Sequence, residues 1–361
     1  MKKRTVIVIL CILMLINISA CSTGTPVDNP VEDKDGIMTI TDCIGREVQL
    51  NGYPERIATL DPFAGQAVIM LGYGDRMPAT VNGVKRDLLL QEICPSLKEA
   101  KVVKDSGAMN AEAVLALGID LIFVKSDMYF NNEAERDKLE KTGIPYLVID
   151  YNSIEEQYKA FMVIGEALGE TEEAQAMVDY YKNAIERVEK VVEKIPQEER
   201  PSLYHSVNEA LRTDIEGSLE AEWIGITGVE NVSLEDDLFL KKRKTYTTLE
   251  QVFVWDPDII ICNESGVNDY ILQDPQWSGL RAVREGNVYQ IPIGVSRWGH
   301  PSSTETSLAI LWLAKLLYPD YFEDLDIREE MRDYYYTFYD FKVSEETLDK
   351  ILSGKGIRAP N

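Results

Sequence analysis

Histidine and cysteine are scarce in this sequence, which has two His and five Cys among 361 residues. So few imidazole groups nearly exclude a zinc or manganese site built from several histidines. Basic residues are also outnumbered, with 37 Lys and Arg against 61 Asp and Glu and a formal net charge of -24. Because the neutralisation of phosphates requires a basic surface, we expect no nucleic-acid partner.

The sequence also lacks the short motifs of common enzyme classes. It has no G-x-S-x-G nucleophile elbow, no phosphate-binding P-loop and no G-x-G-x-x-G after an expected strand. Its composition, 45% hydrophobic and 27% charged, is that of an ordinary globular protein and excludes a disordered chain. We therefore expect no enzyme, no catalytic residues and no resident cofactor or metal. A surface hydrolase is the enzymatic alternative.

The one long apolar run lies at the N-terminus. Basic residues at positions 2–4 precede a charge-free and mostly apolar stretch over residues 5–18, which is typical of a secretory signal. This run is shorter than the roughly 20 residues that a membrane-spanning helix needs. It ends in Ile-Ser-Ala-Cys (18–21), which resembles a bacterial lipobox. The sequence therefore predicts a lipoprotein signal peptide over residues 1–20. An ordinary signal peptide cut after Ala20 is the alternative.

The lipobox resemblance implies that Cys21 is lipidated and anchors the protein to the bacterial cell membrane, outside the cytoplasm. The polar residues 21–36 that follow are typical of a flexible tether. Loss of the basic signal peptide brings the net charge to about -27. Three cysteines then remain, Cys43, Cys94 and Cys262, so any disulfide leaves one thiol free. A Cys43–Cys94 bond and free thiols both fit the sequence.

The rest of the chain alternates short apolar strands with amphipathic helices, which is typical of parallel α/β sheets. One pattern occurs twice: Glu112 begins a helix that precedes a strand from Asp120, and Glu250 begins a helix that precedes a strand from Asp258. This repeat indicates two lobes of like architecture, although two unrelated α/β lobes would also fit. The predicted units are an N-terminal α/β lobe (37–152), a connecting helical segment (153–196) and a C-terminal α/β lobe (197–361).

The connecting segment carries the signature of a long helix. It has no proline before Pro196, and a fresh helix is predicted from Thr171, just after Gly169. Apolar residues recur every three or four positions up to Ile195. About 25 residues at 1.5 Å rise give a helix of roughly 38 Å, long enough to run along both lobes.

A series of short motifs resembles one family of transport proteins. In order, they are Thr-Ile-Thr-Asp (39–42), Gly-Arg-Glu-Val (45–48), Pro-Glu-Arg-Ile (54–57), Asn-Ala-Glu-Ala-Val (110–114), Asp-Leu-Ile (120–122), Thr-Leu-Glu-Gln-Val (248–252), Asp-Pro-Asp-Ile-Ile (256–260) and Gly-Asn-Val-Tyr (286–289). With the lipobox, this order resembles the class III substrate-binding lipoproteins that deliver iron-siderophore complexes, haem or vitamin B12 to ABC importers. The resemblance implies two three-layer α/β lobes around a ligand cleft, joined by one long backbone helix.

The same resemblance implies the function and the partners. The protein is expected to be a monomer that captures an iron complex (siderophore or haem) or a corrinoid, without chemistry on it, and delivers it to an ABC permease and its ATPase. A molybdate or tungstate oxyanion, which some members of this class bind, is an alternative ligand. A sensory lipoprotein that presents its ligand to a receptor is a further alternative.

Two glutamates match the positions at which this family docks on the permease. The resemblance implies that Glu112 and Glu250, one on each lobe, pair with arginines of the permease. Each residue also has a structural explanation, because an acid is favoured in the first turn of a helix. Asn110 is predicted to cap the first of these helices, and Thr247 has capping-box spacing to Glu250.

Ligands of open α/β sheets bind beyond the carboxyl ends of the strands. The predicted ligand-binding residues lie in the loops expected there: Phe63, Ser106, Lys125, Tyr151, His205, Arg297, Trp298 and His300. Arg297 suits anionic oxygens and Trp298 offers a stacking face, while His205 could ligate the metal of a bound complex. A loop ion pair for Arg297, a core position for Phe63 or Trp298 and a hydrogen-bonded core position for His205 are the alternatives.

Overall fold

The computed structural model describes residues 36–105, 107–234, 238–241 and 244–357. The signal peptide, the lipidation site Cys21 and nearly all of the predicted tether lie outside these residues. Within the described part of the chain, no helix is both long enough and apolar enough to cross a membrane.

The N-terminal lobe is built on a six-stranded sheet. Its strands, together with an N-terminal hairpin of β1 and β2, are β1 (Met38–Thr41), β2 (Glu47–Leu50), β3 (Ile57–Thr59), β4 (Ala79–Val81), β5 (Lys101–Asp105), β6 (Ala108–Met109), β7 (Leu121–Lys125) and β8 (Tyr146–Ile149). The sheet order is β6-β5-β4-β3-β7-β8, and all strands are parallel except β6. The sequence prediction of a parallel α/β sheet is confirmed.

Six helices connect these strands. They are α1 (Pro62–Met70), α2 (Asn82–Lys85), α3 (Leu88–Ile93), α4 (Ala111–Ala116), α5 (Ser126–Asn131) and α6 (Glu133–Lys141). Four of them begin at a polar side chain that accepts a backbone N–H of the first turn, as helix capping requires. These caps are Asp61, Asp87, Asn110 and Asn132.

The connecting segment forms a helical hairpin of α7 (Ile154–Leu168) and α8 (Thr171–Val192). The turn uses Gly169 at φ 81°, a left-handed conformation that favours glycine. The two helices touch closely, since a Cβ built on Gly165 would lie 2.4 Å from that of Ala174. The predicted start of a helix at Thr171 is confirmed. Its 22 residues span about 33 Å, slightly less than predicted.

The C-terminal lobe has a smaller parallel sheet of order β10-β9-β13-β14 and a separate hairpin of β11 and β12. Its strands are β9 (Ser202–Ser206), β10 (Glu230–Asn231), β11 (Phe239–Lys241), β12 (Lys244–Tyr246), β13 (Ile259–Cys262) and β14 (Val288–Gln290). Its helices are α9 (Leu219–Ile226), α10 (Leu249–Trp255), α11 (Val267–Gln273), α12 (Arg281–Glu285), α13 (Thr306–Leu317), α14 (Ile327–Tyr339) and α15 (Glu345–Ser353).

Both sheets are covered on both faces, which gives each lobe three layers. In β7, Phe123 packs into one apolar cluster while the neighbouring Ile122 packs into another on the opposite face. In β13, Ile261 and Ile260 divide in the same way. One of these clusters is common to both lobes and includes residues of α1, α7, α8, α13 and α14. The lobes are therefore joined by a continuous hydrophobic core as well as by the chain.

The sequence repeat corresponds to a repeated contact. Helix α4 leads into β7 and α10 leads into β13, and each strand lies beside the first parallel strand of its sheet. The carboxylate of Asp120 accepts the backbone N–H of Arg56 at 3.0 Å, just before β3. That of Asp258 accepts the backbone N–H of Ser202 at 2.8 Å, at the start of β9. Equivalent aspartates thus hold the start of the first parallel strand in both lobes.

Two buried glutamines clamp the lobes together. The Gln66 amide, from α1, donates to Ser302 O at 3.0 Å and accepts from Thr304 N at 3.3 Å. The Gln157 amide, from α7, donates to Pro301 O at 3.0 Å and to Ser303 O at 3.2 Å. Segment 301–304 of the C-terminal lobe is therefore held by two helices outside that lobe.

Replacing both glutamines by leucine is expected to destabilise the fold by about 2 kcal/mol per site, because buried backbone groups lose their partners. Urea unfolding followed by tryptophan fluorescence measures the effect. The matched control is Gln175→Leu, because the Gln175 amide bonds only the surface carboxylate of Asp179 among the described residues. An unfolding midpoint of the double variant equal to that of the control would contradict the clamp.

Candidate functional site

The loops at the carboxyl ends of the two sheets adjoin each other. The clamp shows this directly, since α1 follows β3 and contacts segment 301–304 of the other lobe. The predicted ligand-binding residues of the described chain lie in or beside these loops. Ser106 lies outside the described residues.

The wall contributed by the N-terminal lobe is organised around Asp61, which follows β3. Its carboxylate caps α1 by accepting Phe63 N at 2.8 Å, and it accepts the Tyr151 hydroxyl at 2.5 Å. Burial raises the pKa of Asp61, while the Tyr151 hydrogen bond and the nearby Lys125 ammonium oppose that rise. Asp61 was not among the predicted ligand-binding residues, although an aspartate before Pro62 is a helix-start signal that could have revealed it.

Among the described predicted residues of this wall, Lys125 is the one that reaches solvent. The Phe63 and Tyr151 rings are buried and stack at 5.0 Å between centroids. The Lys125 ammonium lies 4.2 Å from the Tyr151 ring centroid and donates to Asn152 Oδ1 at 2.9 Å, and its side chain is 16% exposed. The two rings thus support a cation at the carboxyl edge of the sheet and present no open stacking face.

On the wall of the C-terminal lobe, His205 in β9 pairs with Asp214. The two side chains are buried, and His205 Nδ1 lies 2.9 Å from an Asp214 carboxylate oxygen. A carboxylate can only accept here, so Nδ1 of His205 donates this hydrogen bond. His205 Nε2 is buried and has no hydrogen-bond partner among the described residues. His205 therefore takes the hydrogen-bonded core position that was the alternative to metal ligation.

Glu220 in α9 adds a titratable group beside this pair. Burial, followed by the neighbouring Asp214 carboxylate, raises the pKa of Glu220 to about 7. The charges of His205 and Arg212 oppose this rise. Neither Asp214 nor Glu220 was predicted, because their positions depend on the loop that returns from β9.

The loop after β14 carries the three remaining predicted residues. The Arg297 guanidinium contacts Glu264 at 2.8 Å and also bonds the Asn208 side chain, and its own side chain is 13% exposed. Trp298 is fully buried. His300 Nδ1 lies 2.9 Å from the Ser302 hydroxyl. Arg297 therefore forms the loop ion pair, and Trp298 takes the core position, that were the alternatives to ligand contact.

A buried carboxylate that the sequence did not reveal holds this loop in shape. Glu305 is fully buried, and it accepts Ser296 N at 2.9 Å, Val295 N at 3.2 Å and the Tyr335 hydroxyl. Burial raises the pKa of Glu305 to about 7, against the opposing effect of these hydrogen bonds. Gly294 fits the site because a Cβ there would lie 2.0 Å from the Glu305 carboxylate.

The two glutamates predicted to dock are exposed in the first turns of α4 and α10. Asn110 caps α4 by accepting Ala113 N at 3.0 Å, as predicted. Thr248, which accepts Gln251 N at 3.1 Å, caps α10. The predicted capping-box spacing from Thr247 is therefore wrong by one residue, because the first helical turn begins at Leu249. Capping thus leaves both glutamate carboxylates turned to solvent.

Comparisons with known proteins agree with this architecture. A family model described as periplasmic binding protein matches residues 57–293. A molybdate-binding protein of Haemophilus influenzae is 26% identical over 83% of this chain and 90% of its own. In Bacillus subtilis, an uncharacterised ABC transporter substrate-binding lipoprotein is 26% identical over 90% of this chain and 100% of its own. An iron(3+)-hydroxamate-binding protein of the same organism is 28% identical over 80% and 89%.

Solved structures share the fold. The crystal structure of a periplasmic solute-binding protein from Veillonella parvula has a TM-score of 0.75 and 26% identity, and the match covers 88% of this chain and 97% of that one.

Proposed function

Because this chain belongs to the periplasmic binding protein family, we propose that it is the substrate-binding lipoprotein of an ABC importer and captures an anionic iron(III) chelate. The family membership and the lipobox of residues 18–21 support an anchored protein outside the cytoplasm. Proteins of this family bind and deliver a ligand, so the site is expected to supply affinity and not chemistry.

The observation that carries the ligand class is one partly buried cation at the carboxyl edge of each sheet. Lys125 and Arg297 lie at the carboxyl edges of the two sheets, in a chain whose net charge is -24. Each cation is paired with a carboxylate, Lys125 with Asp127 at 4.0 Å and Arg297 with Glu264 at 2.8 Å, so an anionic ligand would compete with these carboxylates for the two cations.

A metal oxyanion such as molybdate is the second candidate. The observation that favours it is the burial of Phe63, Tyr151 and Trp298, which leaves the cleft without these aromatic faces for a large ring system. A small tetrahedral anion needs only hydrogen-bond donors and cations. One relative of this chain is named for molybdate binding.

A thermal-shift screen of the mature chain tests the proposal. The panel contains ferric citrate, ferric hydroxamates and catecholates, haem, cobalamin, cobinamide, molybdate and tungstate. A ligand at 100 times its Kd adds about 2.7 kcal/mol of stability, which raises the Tm by several degrees. We expect an anionic iron chelate to give this shift. A shift from molybdate and tungstate alone would establish the second candidate instead.

The two cations are then tested with the ligand so identified. Lys125→Gln and Arg297→Gln should each raise the Kd at least about tenfold, because a charge-assisted hydrogen bond is worth about 1.5–3 kcal/mol. Lys190→Gln, which removes a surface charge from α8, is the control and should leave the Kd unchanged. Unchanged affinity in both cleft variants would refute the anion site.

Delivery is proposed to depend on Glu112 and Glu250. Both carboxylates are exposed, and among the described residues neither takes part in an ion pair. They occupy equivalent positions of the two lobes, as a receptor with two matching cationic sites requires. Docking through both would place the cleft over the permease.

A further inference from the structure

The docking glutamates are not alone at their equivalent positions. The 138-residue offset that relates Glu112 to Glu250 also relates Leu115 to Phe253 and Ala116 to Val254. Residues three and four positions apart share one face of a helix, so each glutamate has two apolar neighbours on its own face. We call Glu112, Leu115 and Ala116 the α4 patch, and Glu250, Phe253 and Val254 the α10 patch.

The apolar members of both patches face solvent. Leu115 is 52% exposed, Phe253 39% and Val254 75%, and Ala116 is exposed as well. The opposite faces of the same helices are packed normally, since Val114 and Val252 are fully buried. The exposed apolar side chains therefore lie on one face of each helix, while the other face is well packed.

Both patches lie on helices that run in the same direction relative to the cleft. Helix α4 starts beside β5, where Asn110 N donates to Val103 O at 2.8 Å. It ends at the amino edge of the sheet, where Arg56 Nε donates to Leu117 O at 2.6 Å. Helix α10 precedes β13 as α4 precedes β7. Each glutamate is therefore nearer than its apolar neighbours to the carboxyl edge that borders the cleft.

We propose that each patch is a two-part docking surface, in which the glutamate pairs with a permease cation and the apolar residues pack against an apolar surface of the same permease. This proposal rests on the proposed function, because it takes the permease of an ABC importer as the partner. Charge complementarity supports this partner. The glutamate of each patch requires a cationic site on the permease, and the apolar residues require an apolar surface beside that site. Because both lobes carry an acid beside apolar residues, the permease must offer two such sites.

The two parts contribute differently to binding. Exposed charges steer the encounter and are screened when the Debye length falls from about 10 Å at 0.1 M salt to about 3 Å at 1 M. Apolar burial stabilises the complex in proportion to the apolar area removed from water and does not depend on such screening. Docking should therefore keep a salt-resistant component that depends on Leu115 and Val254.

The test measures docking of the full lipidated chain on a permease–ATPase complex in lipid nanodiscs. That complex is the one with which the wild-type chain restores import of the ligand found by the thermal-shift panel. The Kd is measured at about 0.1 M and about 1 M NaCl for the wild type and for the variants Leu115→Gln and Val254→Gln. Glutamine keeps helix propensity, so α4 and α10 should remain folded. Tyr336→Gln in α14, where Tyr336 is 56% exposed, is the matched control.

Leu115→Gln and Val254→Gln should each weaken docking about tenfold at both salt concentrations, while the Tm and the ligand Kd stay at wild-type values. The control should bind as the wild type does. A variant with Glu112→Gln and Glu250→Gln should lose affinity at low salt and differ little from the wild type at high salt.

Two results would overturn the inference. If the apolar variants dock like the control while the glutamate variant fails, only the charges dock and the proposed function stands. If no permease complex binds the wild-type chain at either salt concentration, the proposed function fails together with the inference.

Discussion

Replacing Glu112 and Glu250 together by lysine should lower the rate of import by at least about a hundredfold, while the Kd for the ligand stays unchanged. The physical reason is that two attractive contacts become like-charge contacts with the permease, and each such juxtaposition costs several kcal/mol. Each single reversal should give an intermediate loss. Uptake of labelled ligand in cells measures the first effect, and calorimetry on the purified chain measures the second.

A matched pair of reversals separates docking from net charge. Glu172 in the first turn of α8 and Glu346 in the first turn of α15 are exposed glutamates outside the two patches. Their double replacement by lysine changes the charge of the chain by the same amount and disturbs the same helix position. Import should survive it. Import that also survives the Glu112 and Glu250 reversals would show that this face does not dock, and would favour a sensory lipoprotein.

The elements that could be predicted from sequence are those whose cause is local. The cap of α4 by Asn110 and the start of α8 at Thr171 both depend on neighbouring residues. The prediction of two lobes followed from the sequence repeat. That repeat includes Asp120 and Asp258, which hold the start of the first parallel strand in each lobe. The predicted cap at Thr247 was wrong because Thr247 and Thr248 are equally good caps by sequence. Tertiary contacts decide which of the two begins α10.

The candidate site was less predictable because burial depends on distant partners. Phe63 follows a strand, as a ligand-binding residue would, yet its ring stacks on Tyr151 from far along the chain. Trp298 sits in a glycine-bearing loop but is fully buried. In contrast, Lys125 and Arg297 are side chains whose charge keeps one end near water. Charge therefore predicted access to solvent better than aromatic character did.

Glu305 is the residue whose role was least visible in the sequence, and its removal should have the largest effect on stability. Glu305→Ala leaves two backbone N–H groups and the Tyr335 hydroxyl without their acceptor, in a site with no solvent access. Each unsatisfied buried group costs about 1–3 kcal/mol, so a loss of about 4 kcal/mol is expected. Urea unfolding measures it. A variant as stable as the wild type would show that the loop after β14 needs no anchor.

The raised pKa of Glu305 also predicts a dependence of stability on pH, and its sign follows from linkage. The folded chain holds this proton up to about pH 7, whereas the ordinary pKa of the group is 4.5. Protonation therefore stabilises the fold below the ordinary pKa, and that stability is lost as the pH rises through about 7. Between about pH 5 and pH 7.5 the loss attributable to Glu305 should be about 2 kcal/mol.

Glu305→Gln isolates this effect, because glutamine keeps the shape of the side chain and cannot titrate. The pKa of Glu220 is also raised to about 7 and that of Asp61 is raised, so both groups add to the slope in the same direction. They are present in both proteins and cancel when the two stability curves are subtracted. The free energy of unfolding of the wild type minus that of Glu305→Gln should fall as the pH rises. Parallel curves would mean that Glu305 is already ionised in the folded chain at about pH 5, held by its three hydrogen bonds in spite of its burial.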